Sequence, residues 1–370
     1  MTNCAVRASL RYNRRMFAEK INTAPDVYRI VVPCTGPGID GMNCYVVRDG
    51  DESLVVDTGP ATSEAYEVLD AGLTELGVDR RTAKFFLTHF HIDHAGLIDR
   101  VVPSSARVYA SQADLEHMRR LGTDEYRADL FARLRAEGAP AGELAAFSEL
   151  TRSLACHSVP RHSETFVKEG DVISCGRWDF TVIDTPGHTV GHLALFHEGS
   201  GILFSGDLLL FAITSSVDFS PHGTDGLGCY LESLEKLQRL PVRVLCHSHG
   251  DLQDGWRERA AWLAQHRRDR LENMLASVRA QGACSLEGRG RCFSVATGAN
   301  AGCTGYEATR GVRWNVPFDR WEDVSLVQRW AIVGEGLVYL DHLVDVGAVV
   351  RRTGEDGVFR YRTVAAEFNV

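Results

Sequence analysis

The chain has 370 residues, 44% of them apolar and 24% charged, with a formal net charge of −9. That length exceeds one ordinary domain and suits a large catalytic core plus one smaller module. No run approaches the roughly eighteen uninterrupted apolar residues of a membrane span, and the acidic balance argues against a general polyanion binder.

Ten cysteines lie scattered without a CxxC pair, and the N-terminus shows no apolar leader. A reduced, cytoplasmic setting is therefore expected, with no membrane contact. The charge is uneven. Residues 265–370 hold 14 Arg, no Lys and 13 acidic residues, so the acidic excess belongs to the part before them.

Taken in order, residues 28–33, 43–48 and 53–57 are β-rich runs punctuated by glycine. A helix over 62–77 follows, then a strand over 84–88 and another over 108–110. Residues 111–150 change character: charge and helix formers predict two or three inserted helices. Strands resume at 166–167, 171–174, 178–184, 202–205 and 242–246, with a helix over 230–240 between the last two. This alternation predicts a layered α/β architecture. Beyond residue 256 helices dominate. Residues 257–281 carry Leu271, Leu275 and Val278 at helical spacing, and a short helix is expected near 306–313. Leu326, Trp330, Val333, Leu337, Leu340 and Val344 form a one-sided apolar stripe. Two strands, 347–352 and 358–364, then close a hairpin. Three helices followed by a two-stranded wing is the layout of a winged helix.

The chemistry concentrates in His89-Phe90-His91-Ile92-Asp93-His94, directly after an apolar strand. Side chains two apart on an extended segment project to one side, so His89 and His91 can grip one ion. Asp93 and His94 follow where the chain turns toward a helix over 95–101, and can reach a second. Four other strand ends each offer one ligand beside turn residues: Asp57-Thr58-Gly59, Pro186-Gly187-His188, Ser205-Gly206-Asp207 and His247-Ser248-His249-Gly250.

In this order the five blocks resemble the metallo-β-lactamase-fold hydrolase superfamily over about residues 25–255. The resemblance implies an αββα sandwich with a dinuclear site at one edge of the sheets, over residues 1–260, and a winged-helix unit over 261–370. By position, His89, His91 and His188 would bind one metal. Asp93, His94 and His249 would bind the other, Asp207 would bridge them, and Asp57 would support them from behind. His247 competes with His249; His249 is favoured because glycine follows it. The presence of Asp207 points to glyoxalase II-like, lactonase-like and thioesterase-like members, and the 18 residues between His188 and Asp207 leave no room for the large insertion of certain nucleases.

Imidazoles and carboxylates suit Zn²⁺, with Fe or Mn as alternatives. The implied chemistry is hydrolysis of a small thioester, ester or lactone by a metal-bridging hydroxide, with Asp93 and Asp207 as the catalytic carboxylates. Two competing readings stand beside it: a metal-dependent RNA or DNA phosphodiesterase, and a non-hydrolytic biosynthetic enzyme of the same fold. Against nucleic acid, the third C-terminal helix offers Arg329 as its only Lys or Arg. Its stripe suits packing or a homodimer interface. Arg267, Arg268 and Arg270 form the best remaining basic cluster and are expected on a solvated face. A helical insert over the metals and the loop 208–226, with Phe211, Ser215, Ser216 and His222, are candidate pocket walls; no role is given to His192 or His222.

Overall fold

The computed structural model describes residues 16–36, 39–121, 123–154, 163–219, 221, 225–284, 302–315 and 320–364. His222 lies outside the described residues.

The first sheet runs in chain order. Strands β1 (Ala18–Thr23), β2 (Asp26–Gly36), β3 (Ile39–Asp49) and β4 (Glu52–Val56) form an antiparallel meander. Three parallel strands continue it: β5 (Lys84–Phe86), β6 (Arg107–Ala110) and β7 (Ser163–Phe166). The second sheet contains β8 (Val172–Cys175), β9 (Trp178–Asp184), β10 (Leu193–His197), β11 (Ile202–Gly206) and β12 (Val244–His247). Its order is β12-β11-β10-β9-β8, antiparallel except for β11 with β12.

Alternation along the strands divides the core into layers. In β3, Tyr45 and Val47 face the other sheet while Cys44 and Val46 face helices. In β11, Ile202 and Phe204 point between the sheets and Leu203 points outward. The first sheet's outer face is covered by α1 (Ser63–Glu75), which buries Ala65, Val68, Leu69, Gly72 and Leu73 at helical spacing. Thr62 caps that helix by accepting from the Ala65 amide at 3.1 Å. Two single turns, α2 (Ile92–Ala95) and α3 (Ile98–Val101), stand where one helix was expected. The insert forms three helices, α4 (Gln112–Leu121), α5 (Asp124–Ala136) and α6 (Ala141–Leu154).

The second sheet's outer face carries α7 (Gly226–Arg239) and α8 (Trp256–Cys284). The chain forms an αββα sandwich. The expected division at residues 260/261 falls inside α8. After it come α9 (Gly305–Gly311), α10 (Leu326–Asp345) and a hairpin of β13 (Val349–Thr353) and β14 (Phe359–Thr363). One apolar core runs through the second sheet, the insert and these C-terminal elements without a break. The stripe on α10 is spent inside the chain, with Val333, Leu337 and Leu340 buried there. Arg267 and Arg270 depart from the sequence expectation: they are 1% and 5% exposed and face inward. Arg270 donates to the Arg313 carbonyl and lies over the Trp314 ring. No helix among the described residues is long and apolar enough to cross a membrane.

Candidate metal centre

Every segment singled out by sequence ends a strand at the same edge of the sandwich. Asp57 follows β4, the 89–94 run follows β5, His188 follows β9, Asp207 follows β11, and His249 follows β12. At this edge the sheets are tied together. The Asn43 amide donates to the Ser248 carbonyl at 2.6 Å, the Asn43 side chain to the carbonyls of His247 and Gly250, and the Tyr45 hydroxyl to His247. Gly187 makes the approach of His188 feasible: its φ is 130°, and a Cβ there would meet Tyr230 at 2.5 Å.

The ring nitrogens converge. His89 Nε2, His91 Nδ1 and His188 Nε2 lie 3.0, 3.0 and 3.2 Å apart pairwise. Asp207 Oδ1 is 3.3 Å from His94 Nε2 and 3.5 Å from His249 Nε2, and its Oδ2 is 3.5 Å from His188 Nε2. His249 Nε2 also lies 3.3 Å from Asp93 Oδ2. Three ligand groups result: His89/His91/His188, His89/His94/Asp207 and Asp93/His94/His249. His247 points elsewhere. Its buried ring packs 5.2 Å from Phe211.

The opposite edges of the rings fix the tautomers. Thr88 gives its hydroxyl proton to Asp57 at 2.8 Å, which leaves its oxygen to accept from His89 Nδ1 at 3.1 Å. His94 Nδ1 donates to Asp57 at 2.8 Å, His188 Nδ1 to the Ser216 carbonyl at 2.8 Å, and His249 Nδ1 to the Gly41 carbonyl at 3.2 Å. Four Nε2 atoms therefore face one cavity, the arrangement metal-binding histidines require. Asp57, which organises two of them, stands at φ 60°, a conformation rare outside glycine.

Charge and burial agree with a cation. His94 Nε2, Asp207 Oδ1 and His249 Nε2 are buried without a hydrogen-bond partner, a cost proteins rarely tolerate unless an ion or ordered water satisfies the atoms. Burial, with the neighbouring His188 ring, holds His91 down to about 3, and burial holds His89 low, so both imidazoles are neutral. Burial works against the charged form of His94, but the carboxylates of Asp207, Asp57 and Asp93 prevail and raise it well above the usual range. The same carboxylates would attract a divalent ion. Asp207 and Asp93 stay ionised because neighbouring histidines outweigh their burial. Burial, reinforced by the Asp93 charge, pushes the Cys34 thiol up to about 11, so it is no nucleophile at neutral pH. The donor set fits hard-to-borderline divalent cations.

One supporting residue escaped the sequence reading. Asp114, in the first turn of α4 and 2% exposed, accepts from the Gly191 amide at 2.6 Å, the Thr189 hydroxyl at 2.8 Å and the Phe90 amide at 3.2 Å. It pins the His89–His91 loop to the His188 loop. A single Asp in a charged helix gives no local signal of this. His192, given no role from sequence, also belongs here: its Nε2 accepts from the Asp207 amide at 3.1 Å. Asp114→Ala should destabilise the protein by about 3 kcal/mol, since it orphans buried donors. Urea unfolding of the metal-free protein measures this, and a loss under about 1 kcal/mol would contradict the clamp.

The family model described as Metallo-beta-lactamase superfamily matches residues 38–249. A probable metallo-hydrolase of Bacillus subtilis, YqjP, is 30% identical over 236 residues, which is 62% of this chain and 73% of that protein. An atrochrysone carboxyl ACP thioesterase of Emericella nidulans is 27% identical over 62% of this chain, but the match spans just 57% of the fungal protein. An acyl-coenzyme A thioesterase of Gallus gallus, MBLAC2, is 28% identical over 55% of this chain and 69% of its own length. Among solved structures, metallo-beta-lactamase family protein TTHA1429 of Thermus thermophilus superposes with a TM-score of 0.70 at 26% identity, over 91% of this chain and 98% of that one. That share is too large to omit the C-terminal helices. A family model covering more than half of the residues, ending on the histidine that closes the site, leaves one assignment: this chain belongs to the metallo-beta-lactamase superfamily.

Proposed function

We propose that the protein is a dinuclear metal-dependent hydrolase of small acyl substrates, thioesters first, with zinc as the leading metal. The observation that carries this reading is the convergence of buried, unpartnered His94 Nε2, Asp207 Oδ1 and His249 Nε2 on the His89/His91/His188 cluster. His89, His91 and His188 would hold one ion, and Asp93, His94 and His249 the other, with Asp207 between them. When bound, such a pair supplies Lewis acidity and lowers the pKa of a shared water toward ~7.

The chain's own residues supply the rest. Asp57, Ser216 and Gly41 hold His94, His188 and His249 in the tautomer that keeps Nε2 free. Asp93 is the carboxylate on the more open side, partly exposed beside half-buried His91. It is placed to orient water and to carry a proton to the departing group. No serine or cysteine nucleophile is needed. The thioesterase names of two relatives support the substrate class. Nucleic acid is disfavoured further by the burial of Arg267 and Arg270, because guanidinium groups packed inside cannot meet phosphates.

The test is turnover of a panel of acyl-thioesters, esters and lactones by full-length protein loaded with Zn²⁺. Chelation should abolish hydrolysis, and added metal should restore it. Full activity in protein shown by elemental analysis to be metal-free would refute the assignment.

A further inference from the structure

The loop between β11 and α7 begins at the Asp207 position and passes directly behind His188, whose Nδ1 donates to the Ser216 carbonyl at 2.8 Å. Within residues 208–217 this loop has no regular secondary structure. Two arginines of α8 hold it. Arg259 donates through Nε to the Leu210 carbonyl at 2.7 Å and through a terminal nitrogen to the Ile213 carbonyl at 2.8 Å. Arg267, two turns further along the same helix, donates to the Ser215 carbonyl, one residue from the group that orients His188.

Arg267 is itself over-determined. Its other terminal nitrogen donates to Glu335 at 2.6 Å and to the Tyr339 hydroxyl at 2.8 Å, both on α10. The rings of Tyr230 and Tyr339 flank it at 5.5 and 6.0 Å. A guanidinium 1% exposed loses most of its hydration, which is costly unless the geometry rewards it. Fixing an irregular loop carbonyl by carbonyl is such a geometry, and it joins the C-terminal helices to the metal centre.

We propose that Arg259 and Arg267 are positioning residues of the hydrolytic site: through the 208–217 loop they set the orientation of His188. The C-terminal unit is then a brace built into the catalytic centre. This rests on the metal-dependent reading above. His188 belongs to one ligand group, His89/His91/His188, and the hydrogen bonds of Arg259 and Arg267 end on Leu210, Ile213, Ser215, Glu335 and Tyr339, none of them in the Asp93/His94/His249 group. The clamp should therefore act on one of two metal-binding events.

The experiment is calorimetric titration of metal-free, full-length protein with Zn²⁺, comparing wild type with Arg267→Met, Arg267→Lys and Arg259→Met, alongside thermal unfolding of each. Methionine preserves much of the arginine's volume and apolar packing. Arg267→Met should weaken one event roughly 10- to 100-fold, the usual effect of losing support behind a ligand, and leave the other within about twofold. Arg267→Lys, which can still reach the Ser215 carbonyl, should recover part of the loss. Amide hydrogen exchange across 208–217 should rise in the methionine variants of the metal-free protein. Should Arg267→Met fail to fold, the half-buried Arg259→Met carries the same expectations.

Unchanged affinities and unchanged loop exchange would overturn the inference. Equal weakening of both events with a lowered melting temperature would also overturn it, because that marks general destabilisation. Wild-type protein that binds two ions while the variants match it sinks the clamp alone. Wild-type protein that binds none sinks the hydrolase reading and the clamp together.

Discussion

Asp207→Ala is expected to lower kcat/KM for an acyl-thioester by roughly 10³-fold or more, the equivalent of losing several kcal/mol of charge stabilisation. The reason is geometric. Both oxygens of Asp207 are engaged, Oδ1 with His94 and His249 and Oδ2 with His188, at 3.3–3.5 Å. No other carboxylate among the described residues approaches both ligand sets in this way. Removing it should reduce bound metal measured by elemental analysis. The metal-free fold should survive, because the lost carboxylate is a buried charge whose desolvation opposes folding. Asp207→Asn keeps the shape and removes the charge, so it separates the two contributions. Activity retained within tenfold by the alanine variant would exclude Asp207 as the bridge.

The second large effect concerns stability. Arg133 of α5 is 8% exposed, donates to Glu137 at 2.7 Å and to Asp341 of α10 at 2.7 Å. Arg351 also donates to Asp341 at 2.8 Å, and the Tyr361 hydroxyl to Glu137 at 2.8 Å. The insert and the C-terminal hairpin are therefore locked by one buried charge network. Arg133→Ala leaves two buried carboxylates short of their central cation and should cost about 3–5 kcal/mol. Urea unfolding measures it through a shift of the midpoint at constant slope. A loss below about 1 kcal/mol would show the network to be solvated and weak. The network also bears on the insert: it is a fixed wall packed into the main core, with Tyr126, Leu130, Leu134 and Phe147 buried there.

Much of the candidate site was legible because its donor residues carry local sequence signals. His89, His91, Asp93 and His94 share one six-residue run, and each remaining candidate sits beside Gly at a strand end. Residue type and turn chemistry suffice to find such positions. Between His247 and His249, the sequence favours the latter through the following Gly250 alone. The structure puts His249 beside Asp93 and Asp207, and packs His247 on Phe211. Strands were legible where alternation or β-branched runs marked them. β1 was missed because Ala18 is its one fully buried side chain, so no period-2 pattern exists. β10 was missed for the opposite reason: Leu193, Ala194, Leu195 and Phe196 are all buried, so a strand covered on both faces shows no alternation.

Local sequence signals were enough for the layered α/β class, the strand ends that carry the candidate donors, the helical insert, and the later helices and hairpin. Those features depend on neighbours within a few residues. Tertiary structure decided the partners that lie far apart along the chain: Asp114 with Thr189, Arg133 with Asp341, and Arg267 with Ser215. It also reversed the reading of Arg267 and Arg270. A cluster of arginines on a helix resembles a solvated face, and only the surfaces packed against that helix reveal whether a buried carbonyl or carboxylate awaits each charge.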